Sequence, residues 1–187
     1  MDAPTLETAR LRLRSFQHAD LDAYASFCAD PDVMRYIGSG SVLTRAESWR
    51  QMAFFVGHWG LLGYGIWAVE RRDTGALIGR VGFLHPPGWP DFEIGWLLGR
   101  PYWGQGYALE AARVALRYAF DELRRHRVIS LIRPDNRPSI KLAEALGERL
   151  GGEVQLFGST ALVYEIFATG RGASPSRGTA PPDPRSP

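Results

Sequence analysis

The sequence is poor in cysteine, in lysine and in long apolar runs. Its 187 residues contain one cysteine, Cys28, which excludes an intramolecular disulfide framework and is typical of a reducing compartment. It has no run of about 18 apolar residues, and its first 14 residues lack the apolar stretch of a signal peptide. We therefore expect a cytoplasmic protein that does not enter a membrane.

Metal-ligand patterns and excess charge are scarce as well. The four histidines show no spacing such as HExxH, and one cysteine cannot form a zinc set, so we expect no metal site. The formal net charge is +2, and the segment from residue 168 onward, with three arginines and one aspartate, accounts for that excess. A nearly neutral body argues against nucleic acid as a partner.

The chain divides into a patterned body, residues 1–167, and a tail, residues 168–187. The tail is built from small, polar, arginine and proline residues, with no periodicity and no large apolar side chain. Such a composition cannot bury enough surface to offset the entropy of the chain. We therefore predict one domain followed by a disordered tail.

Hydrophobic periodicity gives the order of the elements in the body. Strands are predicted at residues 9–14, 64–70, 77–84, 92–98, 128–132, 153–157 and 161–167, and helices at 20–30, 44–56, 108–125 and 139–146. Polar and glycine-rich turns favour antiparallel neighbours, whereas the strand–helix–strand unit over 92–132 requires a parallel pair. The sequence predicts an α/β (α+β) protein with a mixed, mostly antiparallel central sheet flanked by helices.

A glycine-rich loop before the helix at 108–125 carries the clearest chemical signal. Gly104 and Gly106 allow the backbone to approach a ligand closely, and the helix start offers free amides at the positive end of its dipole. These features suit a pyrophosphate held without a charged side chain. A Rossmann fingerprint is disfavoured because Leu109 replaces the third glycine, and a P-loop is disfavoured because Lys141 is the single lysine.

Three segments together resemble the GNAT superfamily of acyl-CoA-dependent N-acyltransferases: FEIGWLL at 92–98, PYWGQGYALEA at 101–111 and NRPSIKLAEALG at 136–147. More narrowly, the chain is similar to the RimJ/RimL-type branch, which acetylates N-terminal amines of ribosomal proteins. The resemblance covers residues 8–167. Two positions depart from the family pattern: Trp103 stands for the usual Arg or Gln of the pyrophosphate loop, and Glu148 for a frequent aromatic residue.

The resemblance implies a sheet whose fourth and fifth strands splay apart to admit acetyl-CoA as the cofactor. Backbone groups of the strand before the gap would pair with the pantetheine arm, loop amides would hold the pyrophosphate, and Asn136 would contact the arm from the far side. The implied cofactor-binding residues are Trp96, Leu97, Leu98, Trp103, Gly104, Gln105, Gly106, Tyr107, Ala108, Asn136 and Ser139.

Acetyl transfer to an amine requires a neutral nucleophile, so a general base is expected. Our first candidate is Glu93, with Asp91 ranked below it, and a solvent-facing strand glutamate is the competing interpretation. Ser139 matches the family position proposed for donating a proton to the departing thiolate. Helix capping is its competing role, and Tyr102 or Tyr164 are alternative donors.

The leading hypothesis is an acetyl-CoA-dependent N-acetyltransferase in which a primary amine attacks directly within a ternary complex. The acceptor is left open between a protein N-terminus and a small molecule. The loops at 38–63 and 85–91, with Trp59 and Trp89, are candidates for lining its groove. The alternative is a non-catalytic acyl-CoA-binding regulatory module on the same fold. A nucleic-acid-binding domain ranks third, and a second copy of the chain, as a homodimer, is counted among the candidate partners.

Overall fold

The computed structural model describes residues 3–156 and 158–168, so the predicted tail lies outside the described residues except for Ala168. Within that range one sheet is flanked by helices. The strands are β1 (Leu6–Glu7), β2 (Leu11–Arg14), β3 (Ile66–Arg71), β4 (Leu77–Leu84), β5 (Glu93–Leu98), β6 (Arg127–Ile132), β7 (Arg149–Leu156) and β8 (Ser159–Phe167). The helices are α1 (Leu21–Cys28), α2 (Pro31–Met34), α3 (Arg45–Leu62), α4 (Tyr107–Asp121) and α5 (Arg137–Leu146). None of the described helices is long and apolar enough to cross a membrane.

The sheet has the order β1-β2-β3-β4-β5-β6-β8-β7. All its neighbouring strands are antiparallel except β5 and β6, which are parallel and are joined through α4. The predicted hairpins and the predicted parallel crossover are therefore confirmed. The short strand β1 precedes the predicted first strand, so the expected gap between the fourth and fifth strands falls between β5 and β6.

The two faces of the sheet carry separate apolar cores. One face packs against α4, whose alanines Ala112, Ala115 and Ala119 are fully buried and allow the helix to lie close to the strands. The other face packs against α1, α2 and α3 through Tyr24 and Phe55, among others. Because side chains alternate along a strand, β4 and β5 contribute side chains to both cores.

Two helix boundaries differ from the sequence prediction in ways that affect the site. The capping box of Thr44 and Glu47 is confirmed at the start of α3, but that helix runs on to Leu62, so Trp59 lies inside it rather than in a loop. Trp59 is 3% exposed and donates its indole hydrogen to the Ile66 carbonyl, so it is a core residue and lines no groove. Helix α5 begins two residues before the predicted Ser139, because Asn136 supplies the cap.

The strands β5 and β6 part almost as soon as they meet. They share a single paired position, Glu93 with Ile129, whereas β5 pairs with β4 along its full length. The amide of Ile129 donates to the Phe92 carbonyl at 3.0 Å, and beyond that point Trp96 of β5 reaches across to Ser139 of α5. The sheet is therefore open on one edge of β5, as the family resemblance implied.

Candidate active site

A cavity of about 300 Å³ occupies the gap between β5 and β6 and extends over the face covered by α3; we call it the central cavity. Four of the predicted site residues line it: Glu93, Trp96, Asn136 and Ser139. Its remaining wall comes from the segment after α2, from α3, from the end of β4 and from β6. The sequence-predicted catalytic pair, Glu93 and Ser139, is thus brought to one cavity from two different elements.

Glu93 is the partly buried carboxylate at the point where the strands separate. Burial raises the pKa of Glu93 to about 7, against the lowering effect of hydrogen bonds from Trp89 and the Leu131 amide and of the charge on Arg80. The Trp89 indole donates to Glu93 Oε2 at 2.7 Å and fixes the carboxylate. A carboxylate with such a pKa can accept a proton near neutral pH.

A second carboxylate, Glu148, lies beneath the same gap. It is 3% exposed, its Oε1 accepts from the Ser130 hydroxyl at 3.1 Å, and its Oε2 has no partner. Burial, with a smaller contribution from the negative charge of Glu93, raises the pKa of Glu148 to about 7 against the lowering effect of the Ser130 hydrogen bond. Two carboxyl groups at close quarters disfavour the doubly ionised state. The departure from the family pattern at 148 thus adds a titratable group close to Glu93, the candidate base.

Ser139 is held by groups on both sides of the gap. The Trp96 indole donates to Ser139 Oγ at 3.1 Å, and the Ser139 amide donates to Asn136 Oδ1 at 3.3 Å. Asn136 therefore caps α5, and the competing role of Ser139 as the cap is wrong. Because the indole occupies one acceptor site of the hydroxyl, the hydrogen of Ser139 remains available for donation.

The open edge of β5 exposes alternate backbone groups. Phe92 O accepts from the Ile129 amide across the gap, while the Gly99 amide donates to β4. Because backbone direction alternates along a strand, Trp96 and Leu98 face the gap, and Leu97 faces β4, where its carbonyl lies against Gly79. The Leu98 carbonyl already accepts from the Trp103 indole at 2.8 Å.

The loop before α4 has the backbone geometry expected of an anion cradle. Gly104 and Gly106 have φ of +72° and +76°, and Gly106 is the residue that caps α4. Arg10 braces the loop from β2: its guanidinium donates to the Gln105 carbonyl at 3.0 Å and lies over the Tyr107 ring at 4.5 Å. Trp103, Gly104, Gln105 and Gly106 are exposed, whereas Tyr107 is buried.

Three other sequence candidates make their contacts elsewhere. Asp91 forms an ion pair with Arg127, and its Oδ1 accepts from the Phe92 amide at 2.7 Å. Tyr164 packs in the small cluster under α5, and Tyr102 stacks edge-on against Phe27. Neither tyrosine lines the central cavity. Among the residues that the structure describes, no group of three or more His, Cys, Asp or Glu side chains is placed to hold a metal ion.

Sequence reasoning missed Arg80, which lines the central cavity from β4 at 7% exposure. The signal was present, because Arg80 is the lone charged residue in the otherwise apolar strand LIGRVGFL. A buried charge in such a strand needs a partner and is a common mark of a functional site. Ser130 was missed because a serine in a strand carries no distinguishing signal.

Comparison with known proteins agrees with this geometry. The acetyltransferase (GNAT) domain family matches residues 10–149. The N-acetyltransferase YnaD of Bacillus subtilis is 35% identical over 147 residues, covering 79% of this chain and 84% of that protein. The crystal structure of an acetyltransferase from Agrobacterium tumefaciens superposes with a TM-score of 0.80 at 33% identity, covering 90% of this chain and 96% of the other.

The chain therefore belongs to the GNAT acetyltransferase family, and several of its relatives, YnaD among them, are named N-acetyltransferases. Its resemblance to the ribosomal-protein branch is confirmed at the level of the fold. RimL, a ribosomal L7/L12 α-N-protein acetyltransferase solved in complex with coenzyme A, superposes with a TM-score of 0.74 over 88% of this chain and 98% of its own, at 16% identity. Identity that low shows a common fold and leaves the acceptor open.

Proposed function

We propose that this protein is an acetyl-CoA-dependent N-acetyltransferase that transfers an acetyl group to a primary amine by direct attack in a ternary complex. The observation that carries the proposal is Glu93, a carboxylate with a pKa raised to about 7 at the point where β5 and β6 separate. Ser139 lines the same cavity. A general base and a proton donor on two sides of one gap are what acyl transfer to an amine requires.

The residues around the gap fit acetyl-CoA. The amides from Gly104 to Ala108, at the start of α4, suit its pyrophosphate, because two positive-φ glycines keep that backbone free of side chains. The backbone groups of Trp96 and Leu98 at the open edge of β5 suit the amides of the pantetheine arm. The Leu98 carbonyl would become available when the Trp103 indole, which now donates to it, moves away. Leu97 supports that edge from the β4 side, and Asn136 faces the arm from α5.

When bound, acetyl-CoA supplies an activated acetyl carbon: a nitrogen–carbon bond forms, the carbon–sulfur bond breaks, and its electron pair leaves on sulfur. Glu93 takes the proton that the amine must lose for its lone pair to be free. The Trp89 indole keeps the Glu93 carboxylate at one position during that transfer.

Ser139 donates a hydrogen bond from its hydroxyl to the departing thiolate and keeps its proton. A thiol has an ordinary pKa of about 8.5, so the thiolate is a fair leaving group and needs a hydrogen bond more than a strong acid. The Trp96 indole holds Ser139 Oγ in place and points the hydroxyl hydrogen away from itself. The backbone amide of Trp96 at the open edge is our candidate donor to the developing oxyanion.

Release of free thiol from acetyl-CoA tests this function. The assay pairs acetyl-CoA with a panel of N-terminal peptides and small primary amines, including amino acids. We expect amine-dependent thiol release by the wild type and its loss in Glu93→Gln. Binding of acetyl-CoA without turnover of any amine would favour the non-catalytic regulatory module, and absence of binding would overturn both.

A further inference from the structure

The buried cation Arg80 sits on the same face of the sheet as the proposed base. In the β4–β5 ladder Arg80 is opposite Leu97 and Leu84 is opposite Glu93, and paired residues of an antiparallel ladder share a face. Gly95 lies between them on that face, and a side chain built there would meet nothing within 4 Å. The floor between Arg80 and Glu93 is therefore open.

Arg80 makes its one hydrogen bond to the described residues through Nε. Its Nε donates to the Tyr24 hydroxyl at 3.1 Å, and that hydroxyl donates to Gln51 Oε1 at 2.5 Å. The guanidinium carbon lies 5.1 Å from the centre of the Phe55 ring. These contacts hold the side chain in one place, and the two terminal nitrogens of this cavity-lining guanidinium make no hydrogen bond to the described residues.

Within the described part of the chain Arg80 forms no ion pair, although Glu93 lies near enough for the charge of Arg80 to lower its pKa. No carboxylate there lies within 4.0 Å of it, and its terminal nitrogens make no hydrogen bond there. Most other arginines of the described sheet strands are neutralised by a neighbouring acid, as Arg14 is by Asp20. Burying a cation without a partner is costly, so a fixed, unpaired guanidinium at 7% exposure marks a place where an anion binds.

The rest of the cavity wall is apolar on the acceptor side. Tyr36, Phe54, Leu84 and Trp89 line it together with Arg80 and Glu93. One wall thus offers a base for an amine, a planar cation for a carboxylate and an aromatic surface for an apolar group. A guanidinium binds carboxylate in two parallel hydrogen bonds, which fixes orientation as well as charge.

We propose that the acceptor is a small amine that carries its own carboxylate and an apolar side group, an α-amino acid or a close analogue. Its carboxylate pairs with Arg80, its amine faces Glu93, and its side group packs on the aromatic wall. This inference rests on the proposed function. A protein N-terminus fits less well, because the group next to its amine is a neutral amide that leaves Arg80 unpaired.

A matched set of three amines tests the role of the carboxylate in the wild type. Phenylalanine, phenylalaninamide and 2-phenylethylamine share the ring and the primary amine, and the amide imitates a peptide N-terminus. All three are assayed with acetyl-CoA at one pH above 8, where Glu93 is ionised, and kcat/KM is expressed per neutral amine. The set is repeated with leucine and methionine and their amides. We expect kcat/KM for the carboxylated amine to exceed that of both partners by about 30-fold or more.

Two arginine variants separate a specific contact from general charge. Arg80→Gln is expected to raise KM for the carboxylated amine by about 30-fold or more and to change KM for the amide much less, so that the preference disappears. Both amines are compared at a pH well above the pKa of Glu93, because losing the charge of Arg80 raises that pKa. Arg133→Gln is the control, because Arg133 lines the same cavity but donates to the Gly38 carbonyl, and it should keep the preference. Circular dichroism and the calorimetric dissociation constant of acetyl-CoA should match the wild type for both variants.

The outcomes distinguish this inference from the proposed function. Equal or faster acetylation of the amides and of 2-phenylethylamine would overturn the inference and leave the N-acetyltransferase intact. Turnover of peptides with no turnover of any amino acid would do the same. Loss of both substrates alike in a folded Arg80→Gln protein would make Arg80 a structural residue and would also overturn it. Failure of acetyl-CoA to bind would remove the proposed function itself.

Discussion

Glu93 depends on its surroundings for the chemistry that we assign to it. An exposed glutamate is too weak a base to deprotonate an amine efficiently at neutral pH, and burial at the gap is what raises its pKa to about 7. The Trp89 indole and the Leu131 amide oppose that shift and also orient the carboxylate. The side chain is therefore ionised in a useful fraction near neutral pH and held where an amine can reach it.

Glu93→Gln should abolish one limb of the pH profile. In the wild type, kcat/KM should rise with pH through an apparent pKa of about 7, because Glu93 acts in its deprotonated form. Glutamine cannot accept the proton, so the variant should lose about 100-fold or more in kcat/KM and the limb near pH 7. Steady-state thiol release between pH 5.5 and 9 measures both effects.

Asp91→Asn is the matched control for that experiment. Asp91 is two residues from Glu93, but its carboxylate is paired with Arg127. We expect its pH profile to keep the wild-type limb. Loss of the limb in Asp91→Asn, together with its retention in Glu93→Gln, would reassign the base.

Glu148 should make the folded protein less stable as the pH rises. Its pKa is raised from 4.5 to about 7 in the folded state, so the native protein binds the proton more tightly than the unfolded chain does. The free energy of unfolding from this group therefore falls as the pH rises from about 4.5 to about 7, and Glu93 contributes in the same direction. The buried oxygen without a partner accounts for part of the penalty.

Glu148→Gln should flatten that dependence. Between pH 5 and pH 8 the free energy of unfolding should fall by about 1 to 3 kcal/mol more in the wild type than in the variant, because glutamine carries no charge at either pH. Urea denaturation at the two pH values measures the difference. The exposed Glu144 of α5 offers the control, and Glu144→Gln should run parallel to the wild type. Parallel curves for all three proteins would show that Glu148 is not held in the protonated form.

The loop that ends in Gly106 connects β5 to α4 and carries the proposed pyrophosphate site. Its geometry depends on the left-handed backbone at Gly106, which turns the amides at the helix start outward. Nothing in the loop except the main chain is required to hold the anion. Trp103 in place of the usual family residue is compatible with that, because a site built from main-chain amides needs no charged side chain at 103. In the proposed complex its indole releases the Leu98 carbonyl, which it bonds here, to the pantetheine arm.

Gly106→Val should weaken acetyl-CoA binding. Valine disfavours the positive φ and places methyl groups where the phosphate approaches, so we expect the dissociation constant to rise about 10- to 100-fold through lost charge-assisted hydrogen bonds. Calorimetric titration gives the value directly. Gly63→Val is the control, because Gly63 has a φ of +72° at the end of α3 and lies outside the central cavity. An equal loss of affinity in both variants would attribute the effect to backbone strain.

Local patterns predicted the elements well, because capping and periodicity act over a few residues. The Thr44–Glu47 box, the α4 amphipathic pattern and the parallel crossover are all confirmed. Finer points depended on contacts that are distant in sequence. Asn136 rather than Ser139 caps α5, and the facing of Leu97 follows from the register with β4, which single-strand periodicity does not reveal.

The gap in the sheet is a property of the whole molecule. Strands β5 and β6 share one paired position, yet their outer neighbours pair extensively, so the two halves of the sheet are each well held and the opening between them persists. The gap was expected from the family resemblance, and the composition alone contains no signal for it. Arg80 and Glu148 can be recognised as candidate functional groups only in the folded structure, which places both of them near Glu93 at that gap.

A ligand that fills the gap should stabilise both halves. By linkage, acetyl-CoA at 100 times its dissociation constant adds about 2.7 kcal/mol to the free energy of unfolding. For a chain of this size that corresponds to a rise in Tm of about 5 to 10 °C. Desulfo-CoA, which keeps the pyrophosphate and most of the pantetheine, should give a comparable rise, and adenine alone should give little.

Calorimetric titration of the wild-type protein with acetyl-CoA decides whether the gap between β5 and β6 is a cofactor site. We expect saturable binding at one site per chain, weakened in Gly106→Val and unchanged in Glu93→Gln, since in our proposal the loop holds the cofactor and the carboxylate accepts a proton from the amine. The absence of binding to folded protein, or binding that Gly106→Val leaves intact, would contradict it.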